Sequence, residues 1–176
     1  MESQVKADRA LAQRLAVGER AALAKAYDQY APMVYSVGYR LLGTHEQAED
    51  LVQDVFLGLQ RAVRTYGALG AFGGWLRRVA TRAALMKLRQ ERAERHSMQR
   101  HGWQLRTSGG SSVEEDLTLE AAILQLTPAL RAVFVLKEIE GYSYDDITEL
   151  LGIEVGAAKV RLHRARRALQ KSIRNQ

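Results

Sequence analysis

Ser143-Tyr-Asp-Asp-Ile-Thr-Glu-Leu-Leu-Gly-Ile-Glu-Val-Gly-Ala-Ala-Lys-Val-Arg161 is the stretch that decides the fold. Ser143 with Asp146 three residues on is the start signal of a capped helix, and Ile147, Leu150 and Leu151 give that helix one apolar side. Gly152 stops it, and a second helix follows at once, the proportions of a helix-turn-helix. On the second helix Val155, Ala158, Leu162, Ala165 and Leu169 are spaced for burial. The opposite stripe, Ala157, Val160, Arg161 and Arg164, is then presented to a DNA groove, with Lys159, His163, Arg166, Arg167 and Lys171 flanking it for phosphates. The bland alternative is a basic amphipathic helix closing an ordinary bundle. The cap, the glycine turn and a second helix without acids favour the DNA reader.

Working outward, Thr127 and Pro128 open a helix that should stop at Gly141, and a further helix is expected over Val113 to Leu126. Before it, His96 to Ser112 loses the apolar period. Gly109-Gly110-Ser111-Ser112 is its softest point, so a linker over 96–116 separates a C-terminal domain, 117–173, from an N-terminal one, 18–95. In the N-terminal domain, Leu23, Tyr27, Tyr30, Val34, Val37 and Leu41 recur at helical spacing, and Pro32 splits the segment into two helices meeting near Ala31. Gly43 ends the second, and Thr44 with Gln47 starts the next. That helix, His45 to about Thr65, buries Ala48, Leu51, Val52, Val55, Phe56, Leu59 and Val63. It turns Glu46, Glu49, Asp50, Gln53 and Asp54 the other way. Tyr66 to Gly74 reads as a loop, after which a helix resumes at Trp75, runs through Arg89 and fades near Arg95. With no convincing strand, the fold class is all-α, two small helical domains.

Charge is segregated along the chain. From Val55 to Val113 eleven Arg or Lys face two acids; from Glu114 to Glu154 ten acids face Arg131 and Lys137; beyond Val155 there are seven bases and no acid. Two basic blocks around an acidic one suggest two separate contacts with nucleic acid. The acidic face of the helix His45 to Thr65 would repel DNA and suits a basic protein partner. Tyr66, Phe72 and Trp75 lie beside Arg77, Arg78, Arg82, Lys87 and Arg89, the mixture of stacking rings and basic residues that holds single-stranded DNA. Trp75 and Phe72 read equally well as core residues, Trp75 the more so, which leaves Tyr66 and the loop backbone as the better candidates for base contacts.

The absence of Cys excludes disulfides, thiolate metal sites and Cys nucleophiles. The four His lie in separate segments without a metal-ligand pattern, and the Gly-rich loop lacks the Lys-Ser/Thr ending of a phosphate-binding loop. No cofactor and no catalysis are expected. No apolar run reaches the ~18 residues a membrane helix needs, and the N-terminus is charged and amphipathic, so a cytoplasmic protein without membrane insertion is expected. On these residues alone a helix-turn-helix regulator and a protein-interaction module remain open.

Several motifs together resemble one family. Tyr30-Ala-Pro-Met-Val-Tyr35, Leu41-Leu-Gly43, Ala48-Glu-Asp-Leu-Val-Gln-Asp-Val-Phe56 and Trp75-Leu-Arg-Arg-Val-Ala80 resemble the second conserved region of extracytoplasmic-function sigma factors. Leu126-Thr-Pro-Ala-Leu-Arg-Ala-Val-Phe134, Glu140-Gly-Tyr-Ser-Tyr-Asp-Asp-Ile147 and the run Val155 to Arg167 resemble the fourth. The resemblance implies a factor that binds core RNA polymerase and directs initiation at promoters. Glu46, Glu49, Asp50, Gln53 and Asp54 would dock on the polymerase clamp coiled coil. Tyr66, Phe72, Trp75, Arg78, Arg82 and Lys87 would capture and help open the −10 element. Ala157, Lys159, Val160, Arg161, Arg164 and Arg167 would read the −35 element while their domain rests on the polymerase flap. The family commonly also has an anti-sigma partner. Arg82 and Met86 stand where the family usually carries Asn and Asp.

Overall fold

A computed structural model describes residues 2–67, 71–100 and 119–174. It divides into two compact units, Met1–Ala84 and Leu85–Gln176, and the described residues contain helices and turns but no strand.

In the first unit, α1 (Glu2–Ala16), α2 (Arg20–Leu42) and α3 (His45–Ala62) pack on one another, and a 3-10 turn at Val63–Thr65 leads toward α4 (Phe72–Arg100). The expected apolar stripe of α3 is buried along its whole length, from Ala48 to Val63. It meets Ala22, Ala26, Val34, Val37 and Leu41 of α2, with Leu15, Phe72 and Leu76 completing the core. Each large apolar side chain so buried contributes about 1.5–3 kcal/mol. The α2 and α3 backbones approach closely at Gly38, where a Cβ would lie 2.9 Å from Leu51 and 3.2 Å from the Cα of Ala48. Gly43, at φ 100°, ends α2 with its N–H on the Tyr39 carbonyl, and the Thr44 hydroxyl accepts from the Gln47 N–H to start α3.

Three expectations for this unit are corrected. Pro32 does not divide the helix: α2 runs unbroken from Arg20 to Leu42. Pro32 and Asp28, whose carbonyl the proline cannot serve, are both exposed, and residues on both sides of the proline, Ala22 and Ala26 before it and Val34, Val37 and Leu41 after it, are buried. Leu23 and Tyr27 are 39% and 48% exposed and do not share the buried stripe. Finally, α4 starts at Phe72, ahead of Trp75, and continues to Arg100, past the expected fade near Arg95. The rest of the expected linker, including Gly109 to Ser112, and the expected helix start at Val113 lie outside the described residues, as do residues 68–70 of the loop.

The second unit holds α5 (Leu119–Gln125), α6 (Pro128–Phe134), α7 (Tyr144–Leu151) and α8 (Val155–Arg174), with α8 packed against the other three. Pro128 occupies the first turn of α6 as expected, and the Thr127 backbone carbonyl, not its side chain, receives the first hydrogen bonds. The helix expected to reach Gly141 instead widens into a π-turn over Val135–Ile139, closed by Glu140 N–H to Val135 O. Gly141, at φ 73°, then reverses the chain, and Tyr142 N–H bonds back to Leu136 O. Arg131 is buried beneath these elements. Its guanidinium donates to the Leu124 carbonyl at 3.0 Å, joining α5 to α6, and burial draws its pKa down.

Candidate nucleic-acid interface

The helix-turn-helix is built as its sequence dictates. The Ser143 hydroxyl accepts from Asp146 N–H, the Asp146 carboxylate accepts from Ser143 N–H, and both hold the first turn of α7. The Ser143 hydroxyl also donates to the Asp146 carboxylate, and this bond first, then that from the Ser143 N–H, holds the carboxyl below its ordinary value. Gly152 adopts φ 63°, a left-handed conformation that costs other residues about 1 kcal/mol or more, and its N–H closes α7 on the Thr148 carbonyl. Ile147 is buried, whereas Leu150 and Leu151, expected inward, are half-buried at the turn.

On α8 the buried side is Ala158, Leu162, Ala165 and Leu169; Val155, expected with them, is 37% exposed at the helix start. The other side carries Ala157, Lys159, Val160, Arg164 and Arg167 in the open and Arg161 half-buried. Lys159 is steered by a ring, its Nζ lying 5.6 Å from the centre of Tyr144, which Lys137 approaches at 4.8 Å from α8's neighbour. Arg166, expected among the phosphate contacts, instead pairs with Glu138 of the π-turn at 2.6 Å. Sequence distance hid that partner.

In the first unit, Glu46, Glu49, Asp50, Gln53 and Asp54 all stand on the exposed side of α3. Beside them run shallow grooves walled by α2, one holding Asp28, Pro32, Tyr35, Glu49 and Gln53 and one holding Leu23, Tyr27, Phe56 and Leu57. Leu57 is 83% exposed. This apolar border to the acidic face was missed, and the signal for it was a leucine standing off the buried stripe of α3.

The aromatic group after α3 divides its labour. Phe72 is fully buried, which corrects its assignment as a base-stacking residue: its ring lies 5.4 Å from Tyr30, 5.5 Å from Tyr66 and 5.2 Å from Trp75. Tyr66 and Trp75 are half-buried around it, so each keeps a reachable ring edge. Burial first, and then the nearby Asp8 charge, raises the hydroxyl pKa of Tyr30 and Tyr66. On α4, Arg78, Arg82 and Met86 form an exposed line at four-residue spacing, while Lys87 lies off that line and is half-buried.

Among the described residues there is no cluster of side chains able to hold a metal ion and no helix long and apolar enough to cross a membrane. What the chain offers is a capped helix-turn-helix with a basic outer face, and a separate helical unit with an acidic face and an aromatic-basic edge. These features define, among the described residues, an all-helical protein of two units with segregated charge.

The comparisons with known proteins agree. Residues 26–94 match the model of Sigma-70 region 2, and residues 116–169 match that of Sigma-70 region 4. The chain is 30% identical over 172 residues to the ECF RNA polymerase sigma factor SigW of Bacillus subtilis, covering 90% of this chain and 92% of that protein. It is 34% identical over 149 residues to the ECF sigma factor SigE of Mycolicibacterium smegmatis, covering 81% of this chain and spanning 58% of the length of that relative. In structure it is similar to sigma factor RpoE of Bartonella quintana in complex with the anti-sigma factor NepR (TM-score 0.59, 21% identity, 86% of this chain and 96% of that one). It is also similar to CnrH in complex with the cytosolic domain of CnrY (TM-score 0.54, 25% identity, 97% and 99%). The chain belongs to the extracytoplasmic-function sigma factors of the sigma-70 family. The family's work is to direct RNA polymerase to promoters.

Proposed function

We propose that three surfaces divide the work of promoter-specific initiation. Glu46, Glu49, Asp50, Gln53 and Asp54, bordered by the apolar groove at Leu57, dock on the basic clamp coiled coil of core polymerase. Tyr66 and Trp75 stack on unpaired bases of the −10 element, backed by buried Phe72, while Arg78 and Arg82, with Lys87 beside them, hold the strand's phosphates. Ala157, Lys159, Val160, Arg161, Arg164 and Arg167 read the −35 element as their domain rests on the polymerase flap. Residues 18–95 and 117–173 act as the two functional domains and 96–116 as the linker. The observation that carries this reading is the segregation of charge between faces: Glu46, Glu49, Asp50, Gln53 and Asp54 exposed on α3, and an outer face of α8 without an acid.

No covalent chemistry is needed. Binding free energy spent on polymerase and on unstacked bases shifts a closed promoter toward the open state, so the chain is a non-enzymatic factor acting in the cytoplasm. By its likeness to the complexes of RpoE with NepR and CnrH with CnrY, an anti-sigma factor is a further partner. Reconstitution with core polymerase tests the reading. Co-purification with core and run-off transcription from a promoter selected in vitro are expected; binding to promoter DNA without core, and no transcript with it, would instead indicate a conventional repressor or activator.

A further inference from the structure

Asp8 lies on α1, 64 residues from the segment it serves. Its side chain is buried, and its Oδ2 accepts a 2.8 Å hydrogen bond from the backbone N–H of Phe72, the first residue of α4. An α-helix leaves the N–H groups of its first turn without internal partners, and a side chain just before the helix usually supplies one. Here Tyr66-Gly-Ala-Leu-Gly-Ala71 contains no Ser, Thr, Asp or Asn to do so. The cap therefore comes from another helix, and its negative charge suits the positive end of the α4 dipole.

The first turn of α4 depends on that cap more than most. It reads Phe72-Gly-Gly-Trp75, with two residues of the poorest helix formers after proline. Gly73 cannot easily be replaced by a better one, because a Cβ there would lie 3.0 Å from the Tyr30 ring. Trp75 closes that turn and Arg78 lies in the next. The other end of the segment is fixed separately, by Tyr66 N–H to Val63 O at 3.0 Å and Thr65 Oγ1 to Ala62 O at 2.8 Å. The Asp8 bond and these two thus hold the chain on either side of the segment between Tyr66 and α4.

We infer that Asp8 is a positioning residue for capture of the −10 strand: through the Phe72 N–H it fixes where α4 begins and so places Trp75 and Arg78 opposite Tyr66. This rests on the proposed role of those residues in strand capture.

The test uses holoenzyme assembled from core polymerase and the full chain. Its probe is a −10 single strand selected by the unaltered holoenzyme from a random-sequence promoter pool. Asp8→Asn keeps the side-chain shape and removes the charge. It is expected to lower single-strand affinity about tenfold while core affinity and duplex −35 affinity stay within about twofold. Adding Gly74→Ala, where a Cβ meets nothing within 4 Å, restores helix propensity in the first turn and is expected to recover most of the loss. Single-strand affinity unchanged in Asp8→Asn while Arg82→Glu abolishes it would overturn the inference and leave strand capture standing. A parallel fall in core affinity would overturn it too, since Asp8 would then support the whole unit. Unchanged binding by both Arg82→Glu and Tyr66→Ala would remove the strand-capture reading itself.

Discussion

Arg166 of α8 pairs within the chain with Glu138 of the π-turn at 2.6 Å. Its neighbour Arg167 is exposed on the same helix. With Arg167→Ala, the slope of log affinity for −35 DNA against log salt is expected to fall by about 1, the signature of one lost phosphate contact. Arg166→Ala should leave the slope unchanged. Because the pair is partly exposed, at 55% and 35%, its removal should cost no more than about 1 kcal/mol of stability. Equal slopes for the two variants would show that Arg166 exchanges Glu138 for DNA on binding.

Arg161 is half-buried on the outer side of α8, in the middle of the stripe proposed to read the −35 element. Its planar guanidinium suits a bidentate contact with guanine. Arg161→Ala is expected to lose about 1–3 kcal/mol on the matched −35 sequence and much less on random duplex, measured by competition binding. A uniform loss on both would make it a phosphate contact.

On α3, Asp50→Arg together with Gln53→Ala should abolish binding to core polymerase in a pull-down, because both side chains stand on the exposed acidic face and neither supports the core. The circular dichroism spectrum and melting temperature should be unchanged. Leu57→Ser, on the apolar border, is expected to weaken core binding less. Unaltered core affinity in the double variant would move the docking surface elsewhere.

The capping box of α7 gives a pH-dependent test. The Asp146 carboxyl is held below its ordinary value of 3.8 by the Ser143 hydroxyl and then the Ser143 N–H. A depressed carboxyl contributes stability that is fully present above its unfolded pKa and is lost as pH falls through its folded one. Ser143→Ala should therefore be less stable than the unaltered protein at neutral pH, and the gap should narrow in acid, below that ordinary value. Thermal melts across pH would check it; a gap independent of pH would show that the carboxylate takes no part.

Two glycines of the first unit should respond oppositely to alanine. At Gly38 a Cβ would press on Leu51 and on the Ala48 backbone, so Gly38→Ala is expected to destabilise by about 1–3 kcal/mol. At Gly58, within α3, a Cβ meets nothing within 4 Å, and Gly58→Ala should stabilise by up to about 1 kcal/mol. Denaturant melts of the two variants decide it.

The features legible in the sequence are those whose causes are local. The α3 stripe and the Ser143–Asp146 cap are written in spacings of three and four residues, and both stand as expected. Pro32 misled because a window around it cannot register α3 packing on both halves of α2. The start of α4 is tied to Asp8 of α1 and the Phe72 ring is packed against Tyr30 of α2, two partners outside any local window. The π-turn at Val135–Ile139 is likewise silent in the periodicity. Within it, Lys137 donates to the Tyr142 carbonyl and Glu138 holds Arg166, so its two charged residues grip the helix-turn-helix from both ends.

The buried carboxylate on α1 also bears on how such factors can be recombined. The stretch that matches region 2 begins at residue 26, well after Asp8. A chimera that exchanged only the matched stretch between relatives would join the α4 of one parent to the α1 of another. The first turn of that α4 would then meet a cap it did not evolve beside. On the proposed role of Trp75 and Arg78, exchanges that carry α1 along with α4 should keep the donor's −10 preference.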